Sequence, residues 1–317
     1  MDIFGYIPGK SLGLGEIAVA LGFFDGVHLA HRELIAMTVA EARSRGIKSA
    51  VFTFSSEGGG LKSSVPRIYS TDEKLDIIST LGVDVAVVAD FGSVCSMSAD
   101  EFISDVLIGD LNATAVFAGY NFRFGKGASG DANVLTRGMA AGGREAKILD
   151  EYDFSGSPLS STQIRAALDR GELERANAML GAPYRLRAKV VHGRGEGRKM
   201  GIPTVNADIP DTRVMPKRGV YRTAVAIDGR LFSAITNVGT CPTFGERRLH
   251  AETYIINFEG DLYGQKINVY FLGFLRDERV FGGAGELTEQ IERDKARAIE
   301  ENERDFGKLK WTEFGLS

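Results

Sequence analysis

The stretch EIAVALGFFDGVHLAHRELI, residues 16 to 35, decides how the first half of the chain folds. Its opening, EIAVALGFF, is a continuous apolar run, the pattern of a parallel strand covered on both faces. Gly22, Asp25 and Gly26 then turn the chain, and a helix begins around His28 and His31. Four more apolar, β-rich runs follow, beginning at Lys48 (KSAVFTF), Asp84 (DVAVVAD), Ala113 (ATAVFAG) and Glu145 (EAKILDEY), at intervals of 29 to 36 residues. That spacing leaves room for a helix between each pair of strands, as in repeated βαβ units. HRELIAMTVAEARSRG and STDEKLDIISTLG read as two of those helices, ending at Gly46 and Gly82. Residues 1–182 therefore read as an open, mostly parallel α/β sheet.

Beyond the helical stretch SSTQIRAALDRGELERANAMLG, the segment GAPYR ends the helical pattern and the texture becomes antiparallel. Asp228-Gly229 between two β-rich runs is a hairpin signal, and a second hairpin is expected around Glu259-Gly260-Asp261. Several such strands in residues 183–317 predict an all-β second domain, a small barrel or a sandwich, with the charged run ELTEQIERDKARAIEENERDFGKL as a helix laid over it.

Composition agrees with two globular domains. The chain has 317 residues, 44% hydrophobic and 25% charged, with Lys+Arg 38 against Asp+Glu 42 and a formal charge of −4. That balance argues against a protein that holds nucleic acid electrostatically. Cys95 and Cys241 are too few for a disulfide framework or a zinc site. The start MDIFGYIPGKSLGLGE lacks a signal-peptide pattern, and no run is long and apolar enough for a membrane, so the cytoplasm is the expected location. A homo-oligomer is left open.

Two places carry chemistry. At the first strand–helix junction, His28 and His31 lie three residues apart on one helical face, where unpaired N–H groups meet an anion. Their imidazoles can donate to phosphate oxygens; the alternatives are polar surface residues or a metal pair, the latter disfavoured because His192 and His250 lie in the other half. Ser161 or Thr162 can cap a second helix, with Arg165 following. In the second half, HGRGEGRKMGIPTVN, residues 192 to 206, spaces Arg194, Arg198 and Lys199 among Gly193, Gly195, Gly197 and Gly201. Thr204 and Asn206 would face one side of an extended segment and suit Mg²⁺ held mainly by ATP phosphates, or else form a plain polar turn. Glu252, near a strand start among apolar neighbours, is a candidate proton acceptor, or an ordinary outward-facing glutamate.

GFFDGVHLAH followed by SSTQIR resembles the nucleotidylyltransferase superfamily, and AGYNFRFGKGASGD (118 to 131) is similar to the glycine-rich loop of the bacterial riboflavin kinase/FMN adenylyltransferase family. GIPTVN, GVY (219 to 221), NVGTCPTFG (237 to 245), the Glu252 segment with DLYG, and FLGFLRDERVF (271 to 281) resemble the riboflavin kinase domain of that family, in order. The resemblance implies a Rossmann-like N-terminal domain and a small antiparallel β-barrel. It implies ATP contacts at Gly22, Phe24, Asp25, Gly26, His28, His31, Ser161, Thr162 and Arg165 for adenylyl transfer. For the kinase it implies ATP contacts at Gly193, Gly197, Arg198, Gly201, Pro203, Thr204 and Asn206, with Thr204 and Asn206 on Mg²⁺. Glu252 would be the general base, and Asn121, Asn237, Arg276 and Glu278 would meet the flavin. The substrates and products implied are ATP, riboflavin, FMN and FAD. Two departures stand out. Ala30 occupies the position of the family's glycine between the histidines, and SSEGGG (55 to 60) replaces its Phe-x-Pro-His-Pro loop. They motivate an alternative in which the chain is a riboflavin kinase whose N-terminal half is an inactive transferase or a flavin- or nucleotide-binding regulatory module.

Overall fold

A computed structural model describes residues 1–56, 65–191, 204–210, 212–243 and 246–307. The chain divides into two compact units, Met1–Ser160 and Ser161–Ser317.

In the first unit, β1 (Asp2–Gly5), β2 (Ile17–Leu21), β3 (Lys48–Phe54), β4 (Val85–Ala89), β5 (Ala113–Gly119) and β6 (Glu145–Leu149) form one parallel sheet in the order β1-β4-β3-β2-β5-β6. The five expected runs become β2 to β6. The sequence did not signal β1: four mostly exposed residues, DIFG, pair only with β4 at the sheet edge. Every residue of β2 is buried, as its apolar run requires. The order reverses at β2, with β3 and β4 on one side and β5 and β6 on the other, so a ligand crevice opens at the carboxyl ends beside it.

The helix Leu29–Arg45 ends at Gly46, whose φ of 66° lets its N–H return to Ala42 and Arg43. The helix Thr71–Ser79 opens with a reciprocal Ser70–Glu73 cap and stops short of the expected Gly82. Thr80 and Leu81 close it with bonds to Ile77 and Ile78, and Gly82 (φ 80°) lies in the turn beyond.

The second unit begins with helices Ser161–Arg170 and Leu173–Leu180, separated at Gly171 (φ 78°). Asn177 ties them to the barrel, donating from Nδ2 to Phe271 O (2.9 Å) and accepting from Tyr184 N (2.7 Å). The texture change near residue 182 thus falls inside this unit, after its helix pair. The barrel comprises β7 (Tyr184–Val191), β8 (Thr204–Asp208), β9 (Gly219–Ile227), β10 (Arg230–Thr243), β11 (Glu246–Ile255) and β12 (Lys266–Arg276), closed in the order β10-β11-β8-β7-β12-β9.

Asp228 (φ 49°) and Gly229 (φ 73°) make the expected two-residue hairpin between β9 and β10, since both positions need the left-handed region. The second expected hairpin is not one. β11 pairs with β10 and β8, whereas β12 pairs with β7 and β9. The turn residues around Gly260 reverse the chain, but Gly264 and Gln265 exchange backbone bonds with Val190 and deliver β12 to β7.

Thr223, Thr236 and Thr253, all buried, link hydroxyls through the barrel core at 2.9 and 2.8 Å. On the outer wall, the helix Ala284–Phe306 packs Ala298 and Ile299 against Val220, Ile235 and Ile256. Arg222 holds the helix through ion pairs with Glu301 (2.9 Å) and Asp305. Among the described residues, no helix is long and apolar enough to cross a membrane.

Candidate active sites

The turn after β2 has an unusual backbone. Phe24 (φ 53°), Gly26 (φ 87°) and Val27 (φ 41°) all adopt positive φ, and Phe24 and Val27 are fully buried. A β-branched residue there is a genuine outlier, and each strained residue costs roughly 1–3 kcal/mol. The surroundings hold it. Asp25 Oδ1 accepts from Ile68 N (2.8 Å) and Tyr69 N (3.4 Å), and Arg32 Nε donates to Val27 O (3.1 Å). A methyl group on Gly22 would stand 2.9 Å from the Phe24 ring, so glycine is required there.

This turn delivers His28 to the cap position of the helix Leu29–Arg45, with His31 in the first turn. Their rings stack with centroids 3.6 Å apart and an interplanar angle of 18°, and the Phe24 ring meets His31 edge-on at 5.2 Å. His28 is only 4% exposed, and burial pushes its pKa down to about 4. Burial, then the neighbouring His28 and Lys74, holds His31 well below its ordinary value. Both rings are therefore neutral near pH 7. Each Nδ1 is shielded from solvent without a hydrogen-bond partner among the described residues. Buried polar atoms are rarely left so, and beside a helix N-terminus the pair fits an anionic ligand.

Asn121 lies exposed in the loop after β5, the strand beside β2. Ser161 and Thr162 are the first two residues of their helix rather than the residue before it, so neither is the expected cap; Thr162 Oγ1 accepts from Arg165 at 3.5 Å.

In the barrel unit a cavity of about 320 Å³ opens on the outer wall, beneath the rim 276–281 and the helix Ala284–Phe306. Strand register builds its floor. Asn206, Glu252, Asn237 and Val220 lie directly opposite one another across β8, β11, β10 and β9, and the last three line the cavity. Two residues away, Thr204, Tyr254 and Ile235 form a parallel row on the same face. A polar row with a carboxylate at its centre thus runs beside a largely apolar one. Arg276 and Glu278 complete the rim, and Leu287, Ile291 and Asp294 come from the helix. Arg276 Nε donates to Asp294 Oδ2 at 2.9 Å, and a methyl on Gly239 would collide with the Glu278 carboxylate.

Glu252 is the seventh residue of ten in β11, not near its start, and its side chain is 42% exposed rather than desolvated. The reason is that it faces the cavity instead of the apolar core. His250, two residues earlier on the same strand face, brings Nε2 to 3.1 Å from Glu252 Oε1. The structure therefore gathers Thr204, Asn237, Glu252, Arg276 and Glu278 around one cavity, with Asn206 opposite Glu252. Gly193, Gly197, Arg198, Gly201 and Pro203, and Glu57–Gly60 of the SSEGGG segment, lie outside the described residues.

Sequence reasoning missed the apolar floor and the helix contribution. Alternation from Glu252 would have pointed to Tyr254, and the spacing of Leu287, Ile291 and Asp294 marks one helix face. It also missed Lys74 and the strained φ angles, for which residue type carries no signal.

The comparisons with known proteins place this chain in a class. Residues 13–163 match the FAD synthetase family and residues 180–301 the riboflavin kinase family, so the chain is a two-part flavin-synthesising enzyme. It is 36% identical over 291 residues to the bifunctional riboflavin kinase/FMN adenylyltransferase of Bacillus subtilis (strain 168), covering 89% of this chain and 91% of the relative. The protein of the same description from Escherichia coli (strain K12) is 32% identical over 287 residues, with 89% and 91% covered. The chain belongs to the bifunctional riboflavin kinase/FMN adenylyltransferase family. It phosphorylates riboflavin to FMN and adenylylates FMN to FAD with release of pyrophosphate, and the reading as a kinase with a silent N-terminal half is not favoured. A crystal structure of a Streptococcus pneumoniae protein, described as a macrolide-efflux protein, superposes with a TM-score of 0.84 at 29% identity, covering 94% of this chain and 99% of that one. That description concerns the neighbour; the shared feature is the fold.

Proposed function

We propose that the two activities divide between the two sites. In the barrel, Glu252 takes the proton from the ribityl 5′-hydroxyl of riboflavin as that oxygen attacks the γ-phosphorus of ATP. Asn237, Arg276 and Glu278 orient the flavin beside it. Gly193, Gly197, Arg198, Gly201 and Pro203 are assigned to ATP by the family resemblance alone. Thr204 and Asn206 offer neutral oxygens, the donor set suited to Mg²⁺ that takes most of its ligands from phosphates and water. Bound there, Mg²⁺ would neutralise phosphate charge. The observation that carries this reading is that Glu252 lines the cavity with Asn237 beside it on one strand and Asn206 opposite it on the other.

In the N-terminal unit, the FMN phosphate attacks the α-phosphorus of a second ATP. His28 and His31, as neutral donors at a helix N-terminus, stabilise the charge that develops as pyrophosphate leaves. Gly22, Phe24, Asp25 and Gly26 shape the turn, and no protein nucleophile is needed once the phosphates are aligned. Asn121 is assigned to the flavin, and Ser161, Thr162 and Arg165 to phosphate, by the resemblance. Mg²⁺ and a cytoplasmic location belong to this reading, because both steps consume ATP.

The test separates the activities in one full-length protein. Asn206→Ala should stop FMN formation from riboflavin while FAD still forms from supplied FMN. If Asn206→Ala instead lost FAD formation from FMN and kept the kinase, the division would be wrong.

A further inference from the structure

Lys74 is fully buried, on the helix Thr71–Ser79, and neither activity as described above uses it. Its Nζ donates to Phe23 O (2.9 Å), Thr53 Oγ1 (3.0 Å) and Phe54 O (2.5 Å), three oxygens for the three donors of an ammonium. Thr53 Oγ1 also donates to Phe23 O (3.0 Å), and Nζ stands 4.5 Å from the centroid of the Phe23 ring.

The positions of those oxygens matter. Pairing between β2 and β3 runs from Ile17↔Lys48 to Leu21↔Phe52 and ends there. Phe23 and Phe54 lie just beyond that β2–β3 ladder, although Phe54 still pairs with Ala89 on its β4 side. Phe23 immediately precedes the left-handed Phe24, and its carbonyl is where the strained turn leaves the sheet. One ammonium thus bridges the root of the histidine turn and the end of β3. Burying a cation costs several kcal/mol before its partners compensate, so an apolar side chain would be the cheaper way to fill this volume. A site that keeps the cation uses its directional bonds or its charge. Lys74 is also one of the groups that keep His31 unprotonated.

We propose that Lys74 is a positioning residue for adenylyl transfer: its ammonium fixes the Gly22–Val27 turn to β3 and so sets where the nucleotide phosphates meet His28 and His31. This rests on the reading that the histidine turn is the adenylyl-transfer site.

The experiment uses the full-length chain as Lys74→Met, Lys74→Arg and, in parallel, His31→Ala. FAD formation from FMN is followed against ATP concentration, and FMN formation from riboflavin is measured in the same preparations. A misplaced turn should weaken nucleotide binding and slow the chemistry together. Lys74→Met is expected to raise KM for ATP about tenfold and lower kcat about tenfold, roughly a hundredfold in kcat/KM. Lys74→Arg should recover most of the KM change, and FMN formation should match the parent protein in both. A Lys74→Met protein with unchanged KM for ATP would overturn the proposal, whether its kcat is normal or lowered, since loss of folded enzyme lowers kcat alone. Parental FAD formation by His31→Ala would instead overturn the placement of the adenylyl site, whatever Lys74→Met does.

Discussion

The two sites of this enzyme are made in opposite ways. The N-terminal candidate sits on a turn held in rarely populated backbone conformations, with its two imidazoles buried, neutral and stacked. The barrel site sits on regular strands, where register alone sets Asn206, Glu252 and Asn237 side by side and the central carboxylate remains 42% exposed. Preorganisation in the first is stored as strain and desolvation. In the second it comes from strand alternation, and the central carboxylate keeps much of its solvent exposure.

That contrast can be broken or sharpened by experiment, beginning with the largest effect. Glu252→Gln should lower kcat for FMN formation by about 10²–10⁴-fold, the range for removing a general base, with FAD formation from supplied FMN unchanged. Residual FMN formation near the parental rate would remove Glu252 from the chemistry. His31→Ala should cost about 10²–10³-fold in FAD formation and spare the kinase. Separate chromatographic assays of the two products check both.

The buried imidazoles also predict a pH dependence. His28 protonates near 6.5 in an unfolded chain and near 4 in the fold, so between these values the unfolded state binds the proton that the folded state refuses. The stability of the first unit should be complete above about pH 6.5 and decline toward pH 4, by about 3 kcal/mol from His28 alone. Melting curves at pH 7 and pH 5 should show the loss, and His28→Asn should reduce it to the share that the buried His31 contributes. Asp25→Ala strips the acceptor from Ile68 N and Tyr69 N and should cost about 2 kcal/mol in the same unit. Ala30→Gly, restoring the family residue, should be smallest. Ala30 is the second residue of the helix, in its first turn, so a cost of about 1 kcal/mol or less is expected, with KM for ATP within about twofold of the parent.

How much of this was legible beforehand follows the same contrast. The five central strands could be read because each is a continuous apolar run between helical segments, and the Asp228-Gly229 hairpin because two left-handed positions demand such residues. Edge strand β1 could not, being four mostly exposed residues with nothing to distinguish them from a loop. The β11–β12 link misled because turn chemistry reports a change of direction and not the strand that will pair. Most of the barrel site was legible as motifs, though which residues face the cavity was not. At the histidine turn the residue types were visible, but the positive φ of Phe24 and Val27 and the buried Lys74 beneath them were not. Those depend on contacts from Asp25 and from a helix some fifty residues further along.

The route by which the barrel closes has a consequence for how the protein is made. All six strands of the first sheet are complete once Leu149 has been synthesised, whereas β12, which seals the barrel between β7 and β9, ends at Arg276. At roughly 5–20 residues per second, a ribosome needs about ten seconds to cover that interval. The nascent chain therefore holds a finished transferase sheet beside a barrel whose β7 and β9 edges are still open. Those edges are the segments most in need of protection from wrong pairing until the last strand arrives.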